Sequence, residues 1–321
     1  MLLKHAMGLA SPGGRDGRLS ILFFHRVRAV ADPLFPEEPD LARFSAWMRW
    51  IAEWFRVLPL DRAMADLRAG TLPARAAVLT FDDGYADACT LALPVLRRHG
   101  LSAAFFVASG FLDGGQMWND KLIEAVRRTR REWLETGLAP LPAAPVRTDR
   151  EKRAFLERLI LTVKYLPPRA RGKAIARVVD ACGVELAGNP MLDTAQVREL
   201  RAAGMQIGAH TLEHPLLAVC TDAEAEAEIA TGRERLEAVL GERVRFFAYP
   251  NGKPGADYTR RHVEMVRRMG FDAALTTCRG VNTRRTDPYQ LLRFTPWDRS
   301  RGRFGLRMLG NFFHPGGEVF R

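Results

Sequence analysis

The chain has 321 residues, 47% hydrophobic and 26% charged, enough to bury a sizeable core in one large domain or two small ones. No run of ~18 apolar residues occurs, so no membrane-spanning helix is expected. Four scattered cysteines, Cys89, Cys182, Cys220 and Cys278, form no zinc-finger pattern and no disulfide framework, as in a reducing compartment. The net charge is +11, almost all of it arginine, since only six lysines are present. No nucleic-acid motif accompanies that charge, so no specific nucleic-acid partner is expected. Contact with an anionic membrane surface stays open. The opening residues, Met1 to Gly8, are too short and interrupted for a secretory segment, and the expectation is a cytoplasmic protein, peripheral at most to the inner membrane.

In chain order, residues 20–25 form an apolar run ending in His25, a first strand. A Pro- and acid-rich loop spans 30–39, and 41–55 carry Phe44, Met48, Ile51 and Phe55 at helical spacing. A short strand is expected at 56–60, then a helix capped by Asp61 and stopped near Gly70. Residues 76–79 read as a buried strand, 87–96 as a helix ended by Gly100, and 103–107 as the next strand. From about 110 to 190 strand runs vanish and Arg-rich helical stretches appear at 120–133, 149–166 and 169–179, with a Pro/Ala loop at 138–147; this is a helical insertion. Alternation then resumes: a helix at 194–203 with Thr194 as cap, a strand at 205–209, a helix at 221–240 and a strand at 244–248. A helix at 258–269, a strand at 273–275 and a last strand at 289–294 follow. Repeated strand–helix units predict parallel strands in a single α/β domain over 1–321.

Two adjacent carboxylates, Asp82 and Asp83, stand where the strand at 76–79 gives way to a helix, in Thr80-Phe81-Asp82-Asp83-Gly84-Tyr85. That edge is where α/β folds place ligands. Neighbouring residues of a strand face opposite ways, so both can reach one site only if the backbone turns there, and Gly84 permits a turn. Helix capping by Asp83 or Asp87 is the plain alternative. A second strand end carries His210-Thr211-Leu212-Glu213-His214-Pro215. Pro215 disfavours helical backbone at His214, so the two imidazoles are expected to converge from a loop. One carboxylate and two imidazoles make a three-ligand set with open positions, as in catalytic zinc, and non-haem iron oxygenases use the same set. A spare carboxylate beside the ligating one suits hydrolysis.

These two motifs resemble the polysaccharide deacetylases, carbohydrate esterase family 4 with a NodB-type domain. Phe247-Ala248-Tyr249-Pro250-Asn251-Gly252 resembles the family's third motif, the stretch 270–277 its late strand, and Phe24-His25-Arg26-Val27 the opening strand of one bacterial branch. The resemblance implies a distorted (β/α) barrel with a helical insertion, and metal-dependent removal of acetyl groups from an N-acetylated polysaccharide or oligosaccharide. It makes Asp82 the general base and Asp83, His210 and His214 the ligands of a divalent metal, zinc by preference. Tyr249 and Asn251 become substrate or oxyanion contacts, through a main-chain N–H near Asn251. Two positions depart from the pattern. Ala248 stands where the family often has an Arg that orients the base, and Arg293 is the candidate substitute. The last motif lacks its usual His, and His25 is the strand-end histidine that could serve instead. Trp118-Asn119-Asp120 reads as a capped helix start, or as a lid in which Trp118 stacks on a sugar ring. A related amidase or deformylase acting on a small or lipid-linked substrate, and a catalytically weak carbohydrate-binding protein, are the competing readings.

Overall fold

The structure, a computed structural model, describes residues 2–186, 188–314, 316–317 and 319–320. Its elements run α1 (Leu2–Ala10), β1 (Ser20–Phe24), α2 (Leu41–Trp54), β2 (Arg56–Val57), α3 (Leu60–Ala69) and β3 (Ala76–Phe81). A π-helical turn then leads into α4 (Leu93–Arg98), followed by β4 (Ala104–Val107). The insertion holds α5 (Trp118–Arg128), β5 (Trp133–Leu134), β6 (Ala144–Pro145), α6 (Asp149–Lys164) and α7 (Pro168–Cys182). The chain continues with α8 (Thr194–Ala202), β7 (Gln206–Ala209), α9 (Asp222–Leu240), β8 (Phe246–Ala248), α10 (Arg260–Arg268), β9 (Ala273–Arg279), β10 (Leu291–Arg293) and α11 (Arg301–Asn311).

Seven parallel strands stand in the order β1-β3-β4-β7-β8-β9-β10, with β2 added along the start of β3. The ring closes where Phe23 N–H donates to Phe294 O (3.2 Å) and Phe294 N–H to Ile21 O (2.8 Å). The fold is thus a distorted (β/α) barrel. Strands of such a barrel are buried on both faces, which is why they read as continuous apolar runs. Alternate residues still divide cleanly. Ile21, Val78, Ala104, Phe106, Phe246, Ala248, Leu275 and Leu291 form one apolar cluster with Leu60, Ala63, Met64 and Leu67 of α3. Their neighbours Leu22, Leu79, Phe105, Phe247 and Ala274 join the larger cluster against the outer helices. The first set faces inward and the second outward.

That parity positions the site. Counting on by twos from the inward residues gives Phe23 and His25 on β1, Thr80 and Asp82 on β3, Arg293 on β10 and Thr277 on β9. Gly208 falls inward on β7, where a Cβ would lie 2.5 Å from the Phe106 ring, so a side chain there would break the packing. The next inward position is His210. Seven inward chains thus emerge at the C-terminal edge of the barrel, where βα-barrels hold their ligands.

The insertion has its own apolar cluster, including Leu122, Val126, Leu134, Phe155, Leu159 and Val178. Within it the Pro/Ala stretch is bracketed by an antiparallel β5–β6 pair, and Trp133 belongs to β5 and not to the helix expected over 120–133. Other expectations are corrected by the hydrogen bonds. Asp61 lies inside α3 and does not cap it; the N–H of Leu60 donates instead to Gln206 Oε1 (2.6 Å). Asp193, not Thr194, caps α8: its carboxylate accepts from Gln196 N–H at 2.7 Å and the Gln196 side chain returns the bond at 3.0 Å. His262, expected on a surface-like helix, is fully buried and its Nδ1 accepts the Thr259 N–H at 2.9 Å. Helices α1 and α11 were not expected.

Candidate active site

Asp83 and Gly84 turn sharply as β3 ends, with φ of 74° and 89°. At Gly84 this matters twice, because a Cβ would also sit 2.8 Å from Val107. The turn sends Asp83 toward the same mouth that Asp82 reaches by parity. The His210–His214 loop is held from several sides. His210 N–H donates to Val107 O at 3.1 Å, and Leu212 and Glu213 N–H donate to the Glu228 carboxylate of α9 at 3.0 and 2.8 Å. Thr211, His214 and Asn251 all have positive φ (65°, 52° and 59°), a cost of order 1–3 kcal/mol each that clusters at functional sites.

His210 Nδ1 lies 2.7 Å from Ala248 O, so Nδ1–H donates there and the Nε2 lone pair faces the mouth. His214 Nε2 is 3.1 Å from His210 Nε2, and each is 3.4 Å from Asp83 Oδ1. All three side chains are buried, and burial pushes His214 down to about 3, so its imidazole is neutral. Burial also opposes the Asp83 charge, but the two imidazoles hold its carboxyl well below the usual carboxylate range. Two imidazoles and a carboxylate converging on one point fit a divalent cation of the zinc class.

Asp82 has a different partner. Arg293 Nη1 donates to Oδ1 at 2.7 Å, and Nη2 lies 2.7 Å from Oδ2. The guanidinium is fully buried, bonded through Nε to Thr276 O (2.6 Å) and stacked over Phe23 at 4.7 Å. Burial alone would raise the Asp82 carboxyl; the Arg293 charge and hydrogen bond, with the nearby histidines, together outweigh it and keep the group lowered and ionised.

A family model described as Polysaccharide deacetylase matches residues 69–137 and 170–274, more than half of the chain. The chain belongs to the polysaccharide deacetylase family. YxkH of Bacillus subtilis (strain 168), whose name places it with polysaccharide deacetylases, is 20% identical over 87% of this chain and 71% of its own length. Among solved structures, the Streptococcus pyogenes deacetylase PplD in complex with acetate aligns with a TM-score of 0.61 and 17% identity, covering 91% of this chain and 98% of that one. IcaB from Ammonifex degensii aligns with a TM-score of 0.59 and 19% identity, covering 93% and 98%. At these identities the likeness concerns the fold, which is that of the NodB-type deacetylases.

In this family member a cavity of about 530 Å³ opens over the paired aspartates and histidines. His25 lines it from the end of β1, solvent-exposed and edge-on to Phe23 at 5.7 Å. Asn251 lines it too, and its main-chain N–H takes no partner among the described residues. Tyr249 is a correction. Its ring is fully buried and stacks on Tyr258 at 4.0 Å, its hydroxyl donates to Tyr289 O, and its N–H donates to Leu275 O. Its ring, hydroxyl and N–H are all committed to the core, and it does not line the cavity. Trp118 is on the wall, with Arg171 over its ring at 5.2 Å. Neither Asn119 nor Asp120 caps α5, whose N-cap is Met117.

Sequence reasoning missed a second polar group in the cavity. Tyr85 O–H donates to Asp120 Oδ1 at 3.1 Å, and the Arg26 guanidinium lies 4.2 Å from the Tyr85 ring centre while binding Asp87 at 2.8 Å. Burial pushes the Asp120 carboxyl up to about 6. Tyr85 follows the Asp-Asp-Gly turn directly, which was a usable signal; Asp120 had none, because it comes from the insertion.

Proposed function

We propose that this chain hydrolyses N-acetyl groups from an amino-sugar polysaccharide or its precursor, using one divalent metal held by Asp83, His210 and His214, zinc in the first instance. The observation that carries the reading is the pairing of two unlike carboxylates in one cavity: Asp83 against two buried imidazoles, Asp82 against a buried guanidinium. When bound, the metal supplies a Lewis acid that makes an amide carbonyl more electrophilic and water more acidic.

The protein's own groups divide the remaining work. Asp82, kept ionised by Arg293, takes the proton of the attacking water as general base. The free N–H of Asn251 donates to the oxygen that gains charge as the carbonyl becomes tetrahedral. His25 protonates the departing amine, the task for which a solvent-exposed imidazole at the cavity edge is suited. The buried floor excludes bulk water and strengthens each of these interactions.

Acetate release from N-acetylhexosamine oligomers, measured together with metal content, tests the reading. Release that requires bound metal supports it. Stoichiometric metal without any release on acetylated or formylated substrates would instead indicate a binding protein that keeps the fold.

A further inference from the structure

The face opposite the cavity carries a surface that the deacetylase reading does not use. Helices α1 and α11 lie side by side: Leu3 packs on Gly305, and Leu9, Leu309 and Phe313 line one shallow pocket. The two helices therefore run in the same direction. Each inner face joins the core through residues such as Met7, Phe304 and Met308. The outer face is apolar where water should be. Leu2 and Leu9 are 89% and 73% exposed, and Leu306 and Phe313 are 62% and 67% exposed. Leu2 and Leu9 stand seven residues apart, two turns along α1, while Leu306 lies on α11 and Phe313 in the turn that ends it. Single exposed apolar residues are ordinary, but four on two adjoining helices and the turn that ends the second are a patch.

Charge says what such a patch meets. Neither helix contains an acidic residue, and Lys4 and Arg303 stand exposed on them. The pocket of Leu9 and Phe313 shares Arg18 and Asp16 with a groove lined also by Arg15, Arg68, Arg284 and Arg285. That is five guanidinium groups and one carboxylate. Among the described residues none of these five arginines forms an ion pair with a carboxylate. Arg18 donates to Phe312 O at 2.6 Å and lies over the Phe313 ring at 5.9 Å, joining the charged groove to the apolar patch. An apolar patch bordered by unpaired cations complements acyl chains below anionic headgroups.

We infer that α1, α11 and the adjoining arginine groove form a docking surface for an anionic phospholipid membrane. Arg15 and Arg18 precede β1 and Arg68 precedes β3, so the groove lies at the N-terminal edge of the barrel. The catalytic mouth is at the other edge. Docked this way, the enzyme holds its cavity turned from the bilayer, toward a polymer in the aqueous phase.

Co-sedimentation of the full chain with vesicles tests this, comparing phosphatidylcholine alone with an equal mixture of phosphatidylcholine and phosphatidylglycerol at ~0.1 M salt. The expected result is binding to the anionic vesicles only, weakened by added salt. Arg284→Glu with Arg285→Glu should lower that affinity at least ~25-fold, about fivefold for each basic side chain lost. Leu9→Ser with Phe313→Ser should lower it at least ~10-fold while the melting temperature holds, because these side chains are already in water. Binding to neither vesicle, equal binding to both, or wild-type binding by the variants would overturn the inference. So would a stable dimer in sedimentation velocity that the serine variant dissolves, since the patch would then be covered by a second copy.

Discussion

The floor and the wall of the cavity are built differently. The floor comes from strand ends, and each of its charged groups has fixed partners: Asp82 meets both terminal nitrogens of Arg293, and His210 is anchored on Ala248 O. The wall comes from the insertion, where Trp118, Ile123, Ile160 and Leu161 present mainly apolar surface. The family model skips 138–169, which contains α6 and its wall residues Ile160 and Leu161. Chemistry at a reacting bond depends on placement to within about 0.5 Å, which strand ends of a closed barrel supply. Recognition of a long substrate depends on shape, which inserted helices can vary without moving the floor.

The strongest break in this division is a ligand deletion. His210→Ala or His214→Ala should lose bound metal and all measurable deacetylation while far-ultraviolet circular dichroism stays that of the wild type. Full metal occupancy in both variants would remove them from the ligand set. Next comes Arg293→Met, which leaves Asp82 buried without its cation. Unfolding should become easier by ~3–5 kcal/mol and turnover fall by one to two orders of magnitude, with Arg293→Lys recovering part of both. An unchanged melting temperature would mean that the ion pair is not a property of the folded protein in solution.

Smaller effects belong to the wall. Leu161→Asp is tolerable because Leu161 is 66% exposed, and it should raise KM for acetylated oligomers several-fold with kcat retained. A fall in kcat at constant KM would mean that the wall takes part in the chemistry. Asp120 offers a test by pH. Its folded-state carboxyl is pushed up to about 6 against ~3.9 unfolded, so the native state binds the proton more readily. Its ionisation therefore costs stability as pH rises through this interval, up to ~3 kcal/mol by neutrality, and the penalty vanishes below about pH 4. In metal-stripped protein Asp120→Asn should raise the melting temperature at pH 7.5 and flatten its dependence between pH 4 and 6. An unaltered profile would show that the carboxylate finds compensation when ionised.

The same division governs what could be read from the sequence. The strands, the Asp82-Asp83 turn and the two histidines were legible because strand-end motifs carry their own geometry. Arg293 was legible because a base without a cation demanded one from another strand end. Tyr249 was misread because parallel barrel strands are apolar on both faces, so the sequence does not say which aromatic points outward to the helices. Asp120 and the cavity wall depend on how a helical insertion leans over the barrel, a tertiary fact with no local signature. Helix α11 did leave one: Phe304, Met308 and Phe312 recur every four residues, the period of a buried helix face.

The most direct test of hydrolysis from the floor is to measure metal content and acetate release together in Asp82→Asn. The carboxamide keeps the size of the side chain but accepts no proton, and Asp82 is outside the proposed ligand set. Wild-type metal content with turnover lowered roughly 10²–10⁴-fold is the predicted result. Turnover within a few-fold of wild type, or loss of the metal along with activity, would contradict the separation of base from ligand.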